Sequence, residues 1–307
     1  MMAGGKLIAA ALALVALTTC MKVPAAEPVA PSPLPTPTPS EAAPTPAATQ
    51  QIQPHFTLTG PITQGGALLG TAPEGTTFLT FDGESIPVAP DGRFLIAFDR
   101  DAGDSATLVA RLRDGREIRK ELTVSPRAWR IERIDSLRPR SQVSDAWRRR
   151  RAGEIEQIVA ARAMQTGAEG WRQDFLWPVT GRISGLFGAQ RVYGGEPASY
   201  HSGIDIARPS GTPVLAPADG VVILAAEQPF SLEGHLLMLD HGMGLNSAFL
   251  HLSRIDVKVG EHIRRGQRVG AIGQSGSATG PHLHWSLKWN DARIDPLLIA
   301  GPMPAAQ

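Results

Sequence analysis

Cysteine is almost absent from this 307-residue chain, and with Cys20 as its single example no intramolecular disulfide supports the fold. Net charge is nearly absent as well. Thirty basic and 29 acidic side chains leave a formal +1, so nothing points to a nucleic-acid binder and no such partner is expected. Apolar runs are short: Leu7 to Leu17 is the one uninterrupted stretch at the N-terminus, too brief to span a bilayer as a mature helix. Lysine is scarce toward the C-terminus, with only Lys258 and Lys288 after position 200. No internal repeat is evident.

What is present starts with a leader. Lys6 precedes the Leu7–Leu17 run, so residues 1–20 are expected to be a signal peptide and the protein to be exported to the cell envelope or periplasm. The run ends in Leu17-Thr-Thr-Cys20, which resembles a lipoprotein signal whose cysteine becomes lipid-modified and anchors the chain to a membrane. Thr19 departs from the small residues usual there, and cleavage after Val23-Pro-Ala25 would instead release a soluble protein. Residues 21–51 are rich in Pro and Ala, low in charge and without apolar period, so they are expected to be an extended tether.

Residues 52–127 carry short alternating segments separated by turn signals. Thr77-Phe-Leu-Thr-Phe81, Asp82-Gly83 and Ile86-Pro-Val88 read as strand, turn and strand. Asp91–Phe98 and Ala106–Leu112 with Asp114-Gly115 keep the same rhythm, which predicts a small all-β domain of sandwich type with no catalytic constellation. Residues 128–172 form a basic connector containing Arg130, Arg133, Arg138, Arg140 and Arg148 to Arg151. Ser144 or Asp145 can cap a helix there that runs to about Met164. It is expected to be a solvated helix packing Trp147, Ile155, Ile158 and Val159 on a domain, more than a patch for anionic wall polymers or lipid.

The chemistry lies in residues 173–303. Read as strands, His201-Ser-Gly-Ile-Asp205 places His201, Gly203 and Asp205 on one face, with Ile204 and Ile206 on the other. Likewise, Thr279-Gly-Pro-His-Leu-His-Trp285 puts His282, His284 and Ser286 opposite Leu283, Trp285 and Leu287. Two His and one Asp supply three ligands and leave the fourth position of a tetrahedral zinc to water, the composition of a hydrolytic site. The spacings alone are weak signals, since a four-residue His-to-Asp interval also fits one face of a helix.

These strings, together with Phe249-Leu-His-Leu-Ser253, Gly211-Thr-Pro-Val214, Ala216-Pro-Ala-Asp-Gly220 and Gly266-Gln-Arg-Val-Gly270, closely resemble the lysostaphin-type (LytM-like) zinc metallopeptidases that cut peptidoglycan peptides. The resemblance covers residues 174–299. It implies a mainly β fold, an antiparallel-sheet zinc peptidase domain preceded by the small sandwich-like domain and the connecting helix. It implies Zn2+ held by His201, Asp205 and His284, with His282 and His251 handling protons and stabilising the reacting oxygen. Peptidoglycan peptides are the implied partner, and a monomer is expected.

The implied roles suit the side chains. His282 lies two residues from His284 on the same strand face and has the intrinsic pKa for proton transfer. His251 alternates with Leu250 and Leu252, so it is expected to face away from a buried row and donate to an oxyanion. Phe249 stands where the family usually carries Tyr, a possible adjustment of rate or substrate. His55, His235, His241 and His262 lack partners at ligand spacing and are read as surface or turn residues, His241 in a turn built by Asp240 and Gly242. Val257–Gly273 resembles the hairpins of lipoyl and biotin carriers but has no lysine at a hairpin tip, so carrier function is not expected. The alternative from another class is a non-catalytic wall-binding protein that activates a cell-wall amidase; the intact ligand set argues against it.

Overall fold

The computed structural model describes residues 54–135 and 143–304, so the leader, Cys20, the tether, and Arg138 and Arg140 lie outside the described residues. The chain from Thr57 to Thr123 forms β1 (Thr57–Thr59), β2 (Ala67–Thr71), β3 (Thr76–Phe81), β4 (Glu84–Ser85), β5 (Arg93–Ala97), β6 (Ser105–Leu112) and β7 (Glu117–Thr123). Strand β6 shows why: Ala106, Leu108, Ala110 and Leu112 alternate with Thr107, Val109 and Arg111, and the first row is buried. The strands make two antiparallel sheets, ordered β1-β2-β5 and β4-β3-β6-β7. Leu68, Phe94 and Ile96 of one sheet share a buried cluster with Leu79, Leu108 and Ala110 of the other, a sandwich arrangement.

The following strand, β8 (Ile131–Ile134), is followed by helix α1 (Asp145–Arg162). Ser144 caps α1 by accepting the Trp147 N–H at 3.1 Å, and Asp145 and Arg162 sit at the ends that the helix dipole favours. The packing face is not the expected one. Ile155 and Val159 remain 46% and 61% exposed, while Ile158 and Ala161 dock on the sheet. A charged clamp does the rest: the Glu154 carboxylate is buried and accepts from Arg150 and Arg151 and from the N–H and hydroxyl of Ser231. A weakly amphipathic helix is thus held by charge-assisted hydrogen bonds, which are stronger than neutral ones.

The remaining strands are β9 (Arg182–Gly185), β10 (Gln190–Tyr193), β11 (Glu196–Pro197), β12 (Ile204–Ala207), β13 (Pro213–Leu215), β14 (Gly220–Ala225), β15 (His235–Gly242), β16 (Leu245–Ile255), β17 (His262–Ile263), β18 (Arg268–Ile272), β19 (His282–Trp289) and β20 (Ala292–Ile294), before helix α2 (Pro296–Ala300). One ten-stranded sheet dominates, with the order β17-β14-β15-β16-β19-β12-β9; β18 joins β13 to β16, and β20 pairs with β19. Strands β14 and β15 are buried along nearly their whole length because the main core covers one face and α1 the other. Among the described strands β8 pairs in parallel, with β10, and adds the connector to the edge of the β10–β11 hairpin.

The N-terminal strands and the large sheet share one continuous apolar cluster. Phe81 meets Phe98 and Trp289 edge-on, with centroids 5.8 and 6.0 Å away. Arg127 pairs at 2.8 Å with Asp295, whose other oxygen caps α2 at Leu297.

Candidate active site

Strands β12 and β19 pair in a register that sets Asp205 opposite His284. Their alternate residues, Ile204 and Ile206 with Leu283 and Trp285, are fully buried, so the polar row is forced to the other face. Strand β12 begins only at Ile204, and His201 reaches the same face from the preceding loop. That loop is pinned at both ends of the residue: the His201 N–H donates to Ala189 O and its carbonyl accepts from Gly188 N, both at 2.8 Å. Close approach also demands two glycines that sequence reasoning did not single out as site residues. A Cβ on Gly203 would lie 2.7 Å from His284 Nε2, and one on Gly185 would lie 2.9 Å from Asp205 Cγ and 3.0 Å from His201 Cε1.

His201 Nε2, Asp205 Oδ1 and His284 Nδ1 form a near-equilateral triangle, with edges of 3.0, 2.8 and 3.0 Å. Because a carbonyl only accepts, His201 must donate through Nδ1 to Leu186 O, 3.0 Å away, which leaves a lone pair on Nε2. The three donor atoms therefore converge on one point, from a loop and two paired strands. Two imidazole nitrogens and one carboxylate oxygen at this spacing fit a divalent metal with an open position. The electrostatics agree. Burial works against the charge of Asp205, but the adjacent His201 and His284 outweigh it and hold the carboxyl far below its ordinary range. Burial also opposes charge on His201, but Asp205 raises it overall, whereas burial dominates at His284 and lowers it.

His282 and His251 complete the polar row, with ring centroids 4.9 Å apart and His282 Nε2 3.8 Å from Asp205 Oδ1. Each donates through Nδ1 to a backbone carbonyl, His282 to Gly280 at 2.8 Å and His251 to Ser275 at 2.9 Å. Both therefore present Nε2 to the site as an acceptor. Burial, followed by the fields of His282 and His284, lowers His251 below the ordinary value of a histidine.

The route by which His251 arrives is not simple alternation. Leu250 lies opposite His284 and Phe249 opposite Trp285, so strict alternation would send His251 to the Trp285 face, into the core. Instead His251 takes a left-handed backbone, φ 64°, at an irregular part of β16, and its ring comes round to His282. Its N–H is held by Glu233 O at 2.8 Å, and Glu233 in turn is gripped by Arg151 of α1 at 2.6 and 2.7 Å. Helix α1 therefore braces a strained residue of the site.

Phe249 lies fully buried among Leu237, Leu252 and Trp285, on the face opposite the histidines. The position cannot adjust the reacting groups by contact. Phe249→Tyr is expected to lower stability by about 1–3 kcal/mol, through overpacking and a buried hydroxyl, with turnover unchanged. Denaturant midpoints measured beside initial rates check this, and a faster variant of undiminished stability would refute it.

His241 corrects another expectation. It is no turn residue but a fully buried one in β15, with the turn falling later, at Met243. Its Nδ1 donates to Asp219 O at 2.7 Å and its Nε2 accepts from the Ser247 hydroxyl at 2.8 Å, so the neutral ring is satisfied on both sides. Burial pushes its pKa down to about 4 from 6.5. The unfolded chain binds a proton below 6.5 and the folded one only below about 4, so stability is lost as pH falls through that window. The expected loss, up to about 1.4 kcal/mol per pH unit, should vanish from the pH profile of His241→Gln in denaturant titrations. Among the other histidines read as surface or turn residues, His55 and His262 are exposed and His235 is half-buried at the start of β15.

Two cavities flank the triangle. One of about 830 Å3 lies on the His201 and Asp205 side and is walled by Arg130, Glu132, Arg191 and Tyr193. The β8–β10 pairing builds that wall, and Arg100 supports it from the sandwich by donating to Gly188 O at 3.1 and 3.2 Å. A second cavity of about 230 Å3 lies on the His284 side, beneath α1.

Residues 199–296 match the model of peptidase family M23. Peptidoglycan DD-endopeptidase ShyA of Vibrio cholerae is 37% identical over 126 residues, 41% of this chain and 28% of that protein. DD-carboxypeptidase/endopeptidase Mpg of Neisseria meningitidis serogroup B is 38% identical over 104 residues, 34% of this chain and 24% of that protein. The matched stretch thus spans less than a third of either relative. A crystal structure from Pseudomonas aeruginosa, assigned to peptidase M23, superimposes with a TM-score of 0.61 at 28% identity, covering 78% of this chain and 95% of that one. That match extends well beyond the family segment, and the chain carries a peptidase family M23 domain over residues 199–296.

Proposed function

We propose that the protein is a zinc-dependent endopeptidase of the cell envelope that hydrolyses peptide cross-links of peptidoglycan. The observation that carries this reading is the triangle of His201 Nε2, Asp205 Oδ1 and His284 Nδ1, with His282 and His251 beside it at the floor of an open cleft. The names of the curated relatives, one a peptidoglycan DD-endopeptidase and one a DD-carboxypeptidase/endopeptidase, support the substrate class. Their short overlap leaves the activity of the whole chain to experiment.

His201, Asp205 and His284 would hold the zinc, and Asp205 offsets one of its two charges. When bound, zinc supplies Lewis acidity and brings the pKa of a water ligand toward neutrality. His282 takes the proton of the attacking water at Nε2, the ring nitrogen left free to accept by the Nδ1 bond to Gly280 O. The same nitrogen then delivers the proton to the leaving amine. His251, kept neutral by burial, orients water through its Nε2 lone pair, and it donates to an oxyanion only after gaining a proton. The sandwich and α1 act as scaffolding: Arg100 steadies the His201 loop and Arg151 steadies Glu233.

The test is digestion of purified peptidoglycan by the full chain loaded with zinc, with products identified by mass. New fragments cut within the cross-linking peptides support the reading and name the bond. A zinc-loaded protein that yields no products, yet stimulates a cell-wall amidase, would replace it with the activator reading.

A further inference from the structure

The cavity beneath α1 has a composition that the proposed chemistry leaves unexplained. Its floor is apolar, from Ile158, Leu236 and Leu250, but its walls carry Arg151, Arg162, Lys288 and Arg293 against a single acid, Glu233. Two of these cations are spoken for: Arg151 pairs with Glu233 and Glu154, and Lys288 with Asp291 at 3.0 Å. Arg162 has no hydrogen bond or ion pair among the described residues, and its Nε is buried without a partner. Arg293 stacks its guanidinium over Tyr200, 5.3 Å from the ring centroid, and forms no ion pair with an acid among the described residues. Burial and then the charge of the exposed Arg293 lower Arg162 below its ordinary value, against the opposing fields of Asp291 and Glu233, so the two guanidinium groups feel one another. A buried, unpaired charge beside a like charge costs stability unless an anion completes it.

We infer that this cavity is a subsite for the carboxylate end of a short peptide, with Arg162 and Arg293 as its anion-binding groups. His284 and Ser202 border the cavity, so it lies against the His284 corner of the triangle, while the larger cleft lies on the His201 and Asp205 side. A chain laid across the triangle therefore runs from the larger cleft into a smaller end. At about 230 Å3 that end is smaller than ordinary ligand pockets of roughly 300–1,000 Å3, so it takes a fragment of the substrate only. Planar guanidinium groups suit carboxylates, and the apolar floor suits small aliphatic side chains. This inference rests on the peptidase reading and narrows it: the bond cut lies within a residue or two of a free carboxylate.

The experiment measures binding of N-acetyl-D-alanine and of its amide to the full chain, with and without zinc, by calorimetry or NMR titration. The wild type should prefer the acid, and the preference should survive zinc removal. R162Q and R293Q should each weaken acid binding on the order of 10–100-fold while leaving the amide and the zinc content unchanged. R162Q should melt no lower than the wild type, because it removes a charge with no partner, so lost binding would not reflect lost folding. Acid preference that persists in both variants, or that disappears with the zinc, overturns the subsite. Peptidoglycan digestion run in parallel separates the two proposals. Hydrolysis with arginine-independent binding removes the subsite alone, whereas arginine-dependent binding without hydrolysis removes the peptidase reading and keeps the site.

Discussion

Asp205→Ala and His284→Ala are each expected to take bound zinc from one equivalent to nearly none and to lower peptidoglycan hydrolysis by about 10³-fold or more. Either change leaves two donors of a three-donor set, too few to hold a divalent ion against water. The two variants should differ in what remains. Without Asp205 the site also loses its only negative charge among the three donors, and His201 loses the partner that raises its pKa. Without His284 the carboxylate keeps one of its two histidine neighbours, His201 with Nε2 at 3.0 Å. Elemental analysis of the purified variants, with rates measured on the same preparations, checks the expectation. Either variant retaining full turnover would rule out the proposed site.

His282→Ala should behave in the opposite way toward the metal. His282 Nε2 lies 3.8 Å from Asp205 Oδ1, whereas the three triangle atoms lie within 3.0 Å of one another, so His282 stands beside the donor set and not within it. Zinc content should remain at one equivalent while turnover falls about 10²–10⁴-fold, the usual contribution of a positioned acid or base. Added imidazole should restore part of the rate, since the vacated space opens beside an intact site. Loss of zinc from His282→Ala would exchange its role with that of a triangle residue. Intact turnover would move the proton-transfer role to His251, whose Nε2 is the other acceptor facing the site.

The strand periodicity of residues 204–207 and 282–289 was legible because apolar and polar residues alternate there without interruption, so the buried row dictates which face is left for Asp205, His282 and His284. His251 was legible only in outcome. Alternation with Leu250 and Leu252 suggests a face, but pairing of Leu250 with His284 makes that face the wrong one, and a left-handed residue is what corrects it. No pattern of residue types announces a positive φ at a histidine. The turn reading of His241 failed for a related reason: it sits in a strand buried on two sides, where turn composition stops reporting exposure. Helix α1 was visible from its Ser144 cap, but its docking face was not, because a buried Glu154 between two arginines holds it where an apolar stripe was expected.

By itself the sequence determined the mainly β character, the helix start at Ser144, and the shared faces of His201 with Asp205 and of His282 with His284, whereas His251 joined them only through the resemblance to the lysostaphin-type peptidases. These are local properties: alternation, capping and donor type are written within a few residues of one another. Tertiary structure alone decided the 2.8 to 3.0 Å triangle, the Nδ1 bonds to Leu186, Gly280 and Ser275 that aim three imidazoles, and the bracing of His251 through Glu233 by Arg151. It also decided that Arg162 and Arg293, 131 positions apart by their numbers, line one cavity beside His284. Such relations join residues through sheet register and helix docking, and those depend on how the whole chain buries its apolar surface.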